Sequence, residues 1–289
     1  MRAGVSGQVR SKEAPKARTV MNMLRWILAV TLTMALGAAS NATAQAQEPT
    51  IVLVHGAFAD ASSWNGVIAE LAKAGYKTIA VANPLRSVST DAASVAALLR
   101  SIEGPIILVG HSYGGPVITQ AAAGLPNVKA LVYVAAFAPD VGESSLTLSA
   151  MFPGSTLGDA LMPVELPDGG QDLYIQTSKF AAQFAADVPP DTAALMAATQ
   201  RPVTLAALGE ATQIATWKSL PSYFIYGSED RNIPAAVLQF MAERANAREI
   251  RVLEGASHAI SVSEPAAVAE LILRAVEVEA GTGQANANR

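Results

Sequence analysis

Gly110-His111-Ser112-Tyr113-Gly114-Gly115 follows directly on the apolar run Pro105-Ile106-Ile107-Leu108-Val109 and is the stretch of this chain best suited to chemistry. A G-x-S-x-G between a strand-like run and a helical pattern (Val117, Ile118, Ala121, Ala122) reads as a sharp strand-to-helix turn. Such a turn lifts the serine Oγ above a sheet. It is strained, and residues two before and two after the serine must lack a Cβ for strand and helix to pack. Ser112 is therefore the candidate nucleophile. A serine hydroxyl is a weak nucleophile near neutral pH and needs an imidazole base oriented by a carboxylate. Of the three histidines, His55 and His111 sit inside other motifs, which leaves His258 in Gly255-Ala256-Ser257-His258. In a fold with its serine on such a strand-to-helix turn, the acid is expected between serine and histidine in chain order. Asp230, in Gly227-Ser228-Glu229-Asp230 after the apolar run 223–226, fits best, with Glu229 the adjacent competitor and Asp140 a third candidate.

Acyl transfer also needs two backbone N–H groups aimed at the developing oxyanion. One is expected from Tyr113, the residue after the serine. The other is expected from His55-Gly56-Ala57-Phe58, with Ala57 the first choice and Phe58 its neighbouring alternative. Phe58, Met151 and Phe152 are the side chains expected to touch substrate, and Trp64 reads as packing.

The elements that must position these groups alternate. Strand-like runs occupy 50–54, 77–82, 105–109, 128–135, 222–226 and 249–253, and helical patterns occupy 62–74, 90–102, 113–124, 234–245 and 264–278. Near-continuous apolar strands in a β-α-β-α rhythm predict an α/β fold: a mostly parallel six-stranded sheet with helices on both faces. The rhythm breaks between Phe137 and about Lys218, where no strand is expected and Pro and Gly punctuate helical patterns. An insertion there, about 138–218, predicts a helical cap over the C-terminal edge of the sheet, where open α/β sheets bind ligands. The domain is expected to span 47–280, with 281–289 a disordered tail.

Composition narrows the function. The 289 residues are 51% hydrophobic with 20 basic and 24 acidic side chains, which suits one domain with a large core and argues against nucleic acid as a partner. The absence of cysteine removes thiolate catalysis, disulfides and cysteine-bound metals. Neither a metal nor an organic cofactor is expected.

At the N-terminus, Arg25 precedes an uncharged apolar stretch from Trp26 to Leu36, and A-x-A patterns follow at Ala42-Thr43-Ala44 and Ala44-Gln45-Ala46. Basic flank, apolar centre and small-residue cleavage site predict that 1–46 is a secretory signal peptide with a preceding extension. The apolar run is shorter than the ~20 residues of a spanning helix, so no stable membrane insertion is expected after processing. The localisation this predicts is secreted or periplasmic. Met21 and Met23 are alternative starts to Met1.

With these residues in place, the chain resembles the α/β-hydrolase superfamily along nearly all of 50–278. It is most similar to the esterase-like branch that holds plant methyl esterases, hydroxynitrile lyases and many bacterial proteins. The likeness rests on the serine turn, Leu53-Val54-His55-Gly56-Ala57, Ala135-Ala136-Phe137-Ala138-Pro139-Asp140, Gln200-Arg201-Pro202, Glu229-Asp230 before Ile233-Pro234, and Gly255-Ala256-Ser257-His258. It implies a serine carboxylesterase working through an acyl-enzyme, and the cap, with Leu146, Met151, Phe152, Leu157, Leu161, Met162, Phe180 and Phe184 but few cations, suits a small-to-medium neutral ester. A cofactor-free haloperoxidase or perhydrolase using the same triad, and a non-catalytic small-molecule receptor on the same scaffold, are the rival readings. Hydroxynitrile lyases of the branch carry a threonine where Gly56 stands and a lysine after the catalytic histidine. Here that following residue is Ala259, which disfavours lyase chemistry.

Overall fold

Four strands that carry buried apolar side chains, flanked by two more exposed edge strands, set up the core. In the computed structural model, β1 (Thr50–Val54), β2 (Thr78–Val81), β3 (Ile106–His111), β4 (Val128–Val134), β8 (Ser222–Gly227) and β9 (Glu249–Leu253) form one sheet in the order β2-β1-β3-β4-β8-β9. Every pairing in it is parallel. The structure describes residues 47–287, with side chains to 279, and isolated positions near the N-terminus (Met1, Ala3, Gly4 and Gln8). The export-signal expectation for 1–46 thus lies outside the described residues, apart from those positions. Among the described residues no helix is long and apolar enough to cross a membrane.

The helices follow the strands in the expected rhythm. They are α1 (Asn65–Lys73) after β1, α2 (Val88–Arg100) after β2 and α3 (Gly114–Ala121) after β3. Ser87 caps α2 by accepting from the Thr90 N–H, and that side-chain bond starts the helix two residues before the apolar pattern suggests. The interior strand β1 is buried along its whole length, as a parallel strand covered on both faces must be. The C-terminal helix packs on β3, β4, β8 and α1. It runs Pro265–Ala287 and so enters the segment expected to be a disordered tail. Extending an existing helix needs no new nucleation, which is why it runs past the last apolar residues.

The insertion departs from expectation. It carries α4 (Ser145–Ser149), α5 (Leu157–Ala160), α6 (Thr177–Phe184), α7 (Pro190–Thr199) and α8 (Leu205–Gly209). It also holds a three-stranded antiparallel sheet, β5 (Leu161–Glu165), β6 (Gln171–Ile175) and β7 (Val203–Thr204), where no strand was expected. Pro163 argues against a strand in general, but β5 is an edge strand, where a missing N–H is tolerated. The turn Leu166-Pro167-Asp168-Gly169-Gly170 closes the hairpin with a Leu166 N–H to Gly170 carbonyl bond of 2.8 Å, and Gly169 takes φ +84°. The cap is therefore mixed rather than helical.

Candidate active site

The serine turn has the strain its sequence implies. Ser112 has φ +53°, a left-handed conformation that non-glycine residues rarely adopt and that is held only where the surroundings over-determine it. The surroundings do so through close packing. A Cβ on Gly114 would fall 2.4 Å from the Val54 carbonyl oxygen, so α3 can start against β1 only without a side chain there. Ser112 is 7% exposed and lines a cavity of about 40 Å³ under the cap.

Asp230 and His258 meet in the interior. His258 Nδ1 lies 2.6 Å from Asp230 Oδ2, with both side chains fully withdrawn from solvent. A carboxylate only accepts, so Nδ1 carries the proton and Nε2 the lone pair. The other carboxylate oxygen accepts the N–H groups of Asn232 (2.8 Å) and Ile233 (2.9 Å), which fixes its direction. Those two bonds explain why Asp230 rather than its neighbour faces the imidazole: Glu229 points to solvent. Asp140 is drawn away as well, into an ion pair of 2.5 Å with Lys218 that holds its carboxyl below the usual range. His258 Nε2 is buried with no hydrogen-bond partner, and Ser112 Oγ does not bond to it in this structure.

The backbone donors also separate. The Phe58 N–H is engaged by the Arg201 carbonyl at 3.0 Å, whereas those of Ala57 and Tyr113 meet no protein acceptor among the described residues. This leaves Ala57 and Tyr113, the first-choice pair, as free donors beside the cavity that Ser112 also lines. Gly56 brings them close: a Cβ there would sit 2.6 Å from the Ser112 Cβ.

Other side chains hold this frame, and sequence reasoning missed them. The Tyr113 hydroxyl donates to Asp91 Oδ2 at 3.0 Å, and Asp91, on α2, is fully buried with its carboxyl pushed up by that burial. Asp91 also accepts the Arg86 N–H, at 3.1 Å on the same oxygen. Asp91→Ala leaves a buried hydroxyl without its acceptor and is expected to lower unfolding stability by about 1–3 kcal/mol, read from urea denaturation. An unchanged urea midpoint would show that the contact does not anchor Tyr113. Nothing in the spacing of Asp91 and Tyr113 signals this link, because only the sheet brings α2 against the serine turn.

Two further histidines are structural. His55 Nδ1 donates to the Gly56 carbonyl at 2.9 Å while Nε2 accepts the Asn83 N–H at 3.0 Å, which suits the neutral ring only. His111 Nε2 donates to the His258 carbonyl at 3.1 Å, and its ring centroid lies 4.8 Å from that of His258. Burial lowers the proton affinity of both, most for His111, where neighbouring His258 adds to the effect. Both take up a proton more readily unfolded than folded, so stability is expected to fall as pH drops below the unfolded histidine value of about 6.5. A lower urea midpoint at pH 5.5 than at 7.5 checks this. An equal midpoint would mean the two rings are not held neutral.

The expected substrate contacts divide. Phe58 lines the cavity, as do Leu146 and Leu157 from the cap. Met151 and Phe152 do not. They lie beyond the end of α4, where Met151 is exposed and Phe152 packs on Phe240. The helix instead presents Ser145, Leu146 and Ser149 to the cavity. Phe184 is core, edge-on to both His258 (4.9 Å) and Phe58 (6.4 Å), and Trp64 is packed edge-on to His111. Ser257 donates to Asp187 of the insertion, tying the histidine loop to the cap.

A parallel sheet with a strained serine at the end of β3 and a buried Asp–His pair after β8 and β9 is the architecture of α/β hydrolases. The chain belongs to the alpha/beta hydrolase family, whose model matches residues 51–271. It is 28% identical over 260 residues to an alpha/beta hydrolase of Aspergillus novofumigatus, covering 81% of this chain and 97% of that one. It is 27% identical over 237 residues to an alpha-hydroxynitrile lyase of Arabidopsis thaliana, covering 74% and 92% respectively. The crystal structure of polyneuridine aldehyde esterase shares the fold, with a TM-score of 0.70 at 22% identity over 79% of this chain and 99% of that one.

Proposed function

We propose that this protein is a serine carboxylesterase. The observation that carries the reading is the unpartnered, buried Nε2 of His258, held on Asp230, in a chain whose Ser112 sits on a strained turn at the end of β3. In the proposed reaction His258 Nε2 takes the Ser112 proton as Oγ attacks the ester carbonyl. The Ala57 and Tyr113 N–H groups receive the oxyanion. The imidazolium then protonates the leaving alkoxide, and water releases the acid from the acyl-enzyme by the same steps in reverse order of partners. Asp230 holds the imidazole tautomer and stabilises its cation.

No charged side chain lines the cavity, which supports a neutral ester as substrate. Ala259, buried after His258, supplies no cation for a departing cyanide, and Gly56 leaves no room for a side chain beside Ser112. Both features support hydrolysis over cyanohydrin cleavage. Trapping tests the proposal: a fluorophosphonate should add one adduct per chain, mapped to Ser112 by peptide mass. Adduct formation elsewhere, or none, would overturn it. We also propose export. Sequencing the N-terminus of protein from its native compartment should place the start between residues 42 and 47, and an intact Met1, Met21 or Met23 would refute it.

A further inference from the structure

The cavity at Ser112 is small, roughly 40 Å³, whereas an ester brings both an acyl and an alcohol half. Phe58 is a wall of that cavity and also a wall of a second one, of about 340 Å³. This cleft runs between the turn Ala61–Trp64 with the start of α1 and the cap helix α7. Its apolar lining comes from Phe58, Ala59, Leu195, Met196 and Val262. Asp60 is the one charged residue lining it, and its Oδ1 accepts both the N–H (2.7 Å) and the hydroxyl (2.6 Å) of Ser62. Phe58 itself has φ +60°, a costly conformation for an aromatic residue, and its N–H is pinned to Arg201 of the insertion.

From the position of Phe58 between the two spaces we infer that it is a swinging partition, and that the cleft beyond it is the subsite for the alcohol half of an ester. This rests on the esterase reading above. The leaving oxygen must lie where His258 Nε2 can protonate it. The cleft is on that side: Val262 lines it from the short helix directly after His258, and Phe58 packs on Phe184, which packs on His258. Turning the Phe58 ring joins the spaces. The acyl half then stays in the small cavity and is short, and the cleft receives a bulky, neutral, apolar alcohol such as an arylmethyl or alicyclic one. The enzyme this describes favours acetates of large alcohols over methyl esters of large acids.

Two isomers separate these outcomes, because 2-naphthylmethyl acetate and methyl 2-naphthylacetate differ only in which half is large. The wild-type protein is expected to hydrolyse the acetate with a kcat/KM higher by about tenfold or more, the discrimination that apolar pocket fit supplies. Met196→Trp, which fills the cleft from the cap, should lower kcat/KM for 2-naphthylmethyl acetate relative to ethyl acetate by about tenfold. Phe58→Ala should move that ratio the other way. A folding defect lowers both esters together and leaves the ratio alone, so the ratio reads the subsite, and the isomer pair on wild type decides even if a variant does not fold. Equal rates or preference for the methyl ester, with hydrolysis still dependent on Ser112, would overturn the subsite and leave the esterase reading standing. Hydrolysis that persists in Ser112→Ala would overturn the esterase reading itself.

Discussion

Ser112→Ala is expected to be folded and inactive. Alanine keeps a Cβ at the same φ of +53°, so the turn is no more strained than before, and the close contacts of the flanking glycines are untouched. What disappears is the oxygen that would carry the acyl group. Backbone donors and substrate binding alone leave about 10³–10⁴-fold acceleration over water, far below a working hydrolase. Steady-state hydrolysis of an activated short-chain ester, read beside a urea melt of the same sample, measures both halves of the expectation. Turnover near wild type in the variant would move the nucleophile elsewhere.

Asp230→Asn should be nearly as damaging, and for a geometric reason. The Asn232 and Ile233 N–H groups both point at one carboxylate oxygen, so in the variant they capture the amide oxygen. The amide nitrogen is then turned toward His258 Nδ1, which must accept instead of donate. The proton moves to Nε2, the ring becomes the wrong tautomer to act as a base toward serine, and kcat is expected to fall by roughly 10⁴. Glu229→Gln, at an exposed side chain, should change kcat little. Reversed severities would transfer the orienting role to Glu229.

The parts of the site that depend on local geometry were legible in the chain. The glycines around Ser112, the acid at the end of one strand and the histidine after the next each announce a backbone position, and the parallel sheet follows from apolar runs alternating with helical patterns. The choice between Ala57 and Phe58 was not settled by their spacing, because it turns on the Arg201 carbonyl far along the chain. The Asp91–Tyr113 bond and the contact of Phe184 with His258 were hidden for the same reason. In the cap, Pro163 masked an edge strand, and apolar character alone put forward Met151 and Phe152 beside Leu146 and Leu157, of which the latter two line the cavity.

The insertion leaves the sheet after β4 and returns at β8, two strands that lie side by side with Leu131 opposite Ser222. Topologically it belongs to a single parallel crossover, which leaves at the C-terminal end of β4 and returns at the N-terminal end of β8. Lengthening such a crossover is cheap, since a doubling of loop length adds only about 0.6 kcal/mol of closure entropy. A cap of different size and lining can therefore be carried while Ser112, Asp230 and His258 keep their places in the chain outside the insertion. A chimaera would be cut at those two strand ends, and a cap from a homologous chain grafted between Val134 and Ser222 is expected to change the selectivity of the proposed reaction.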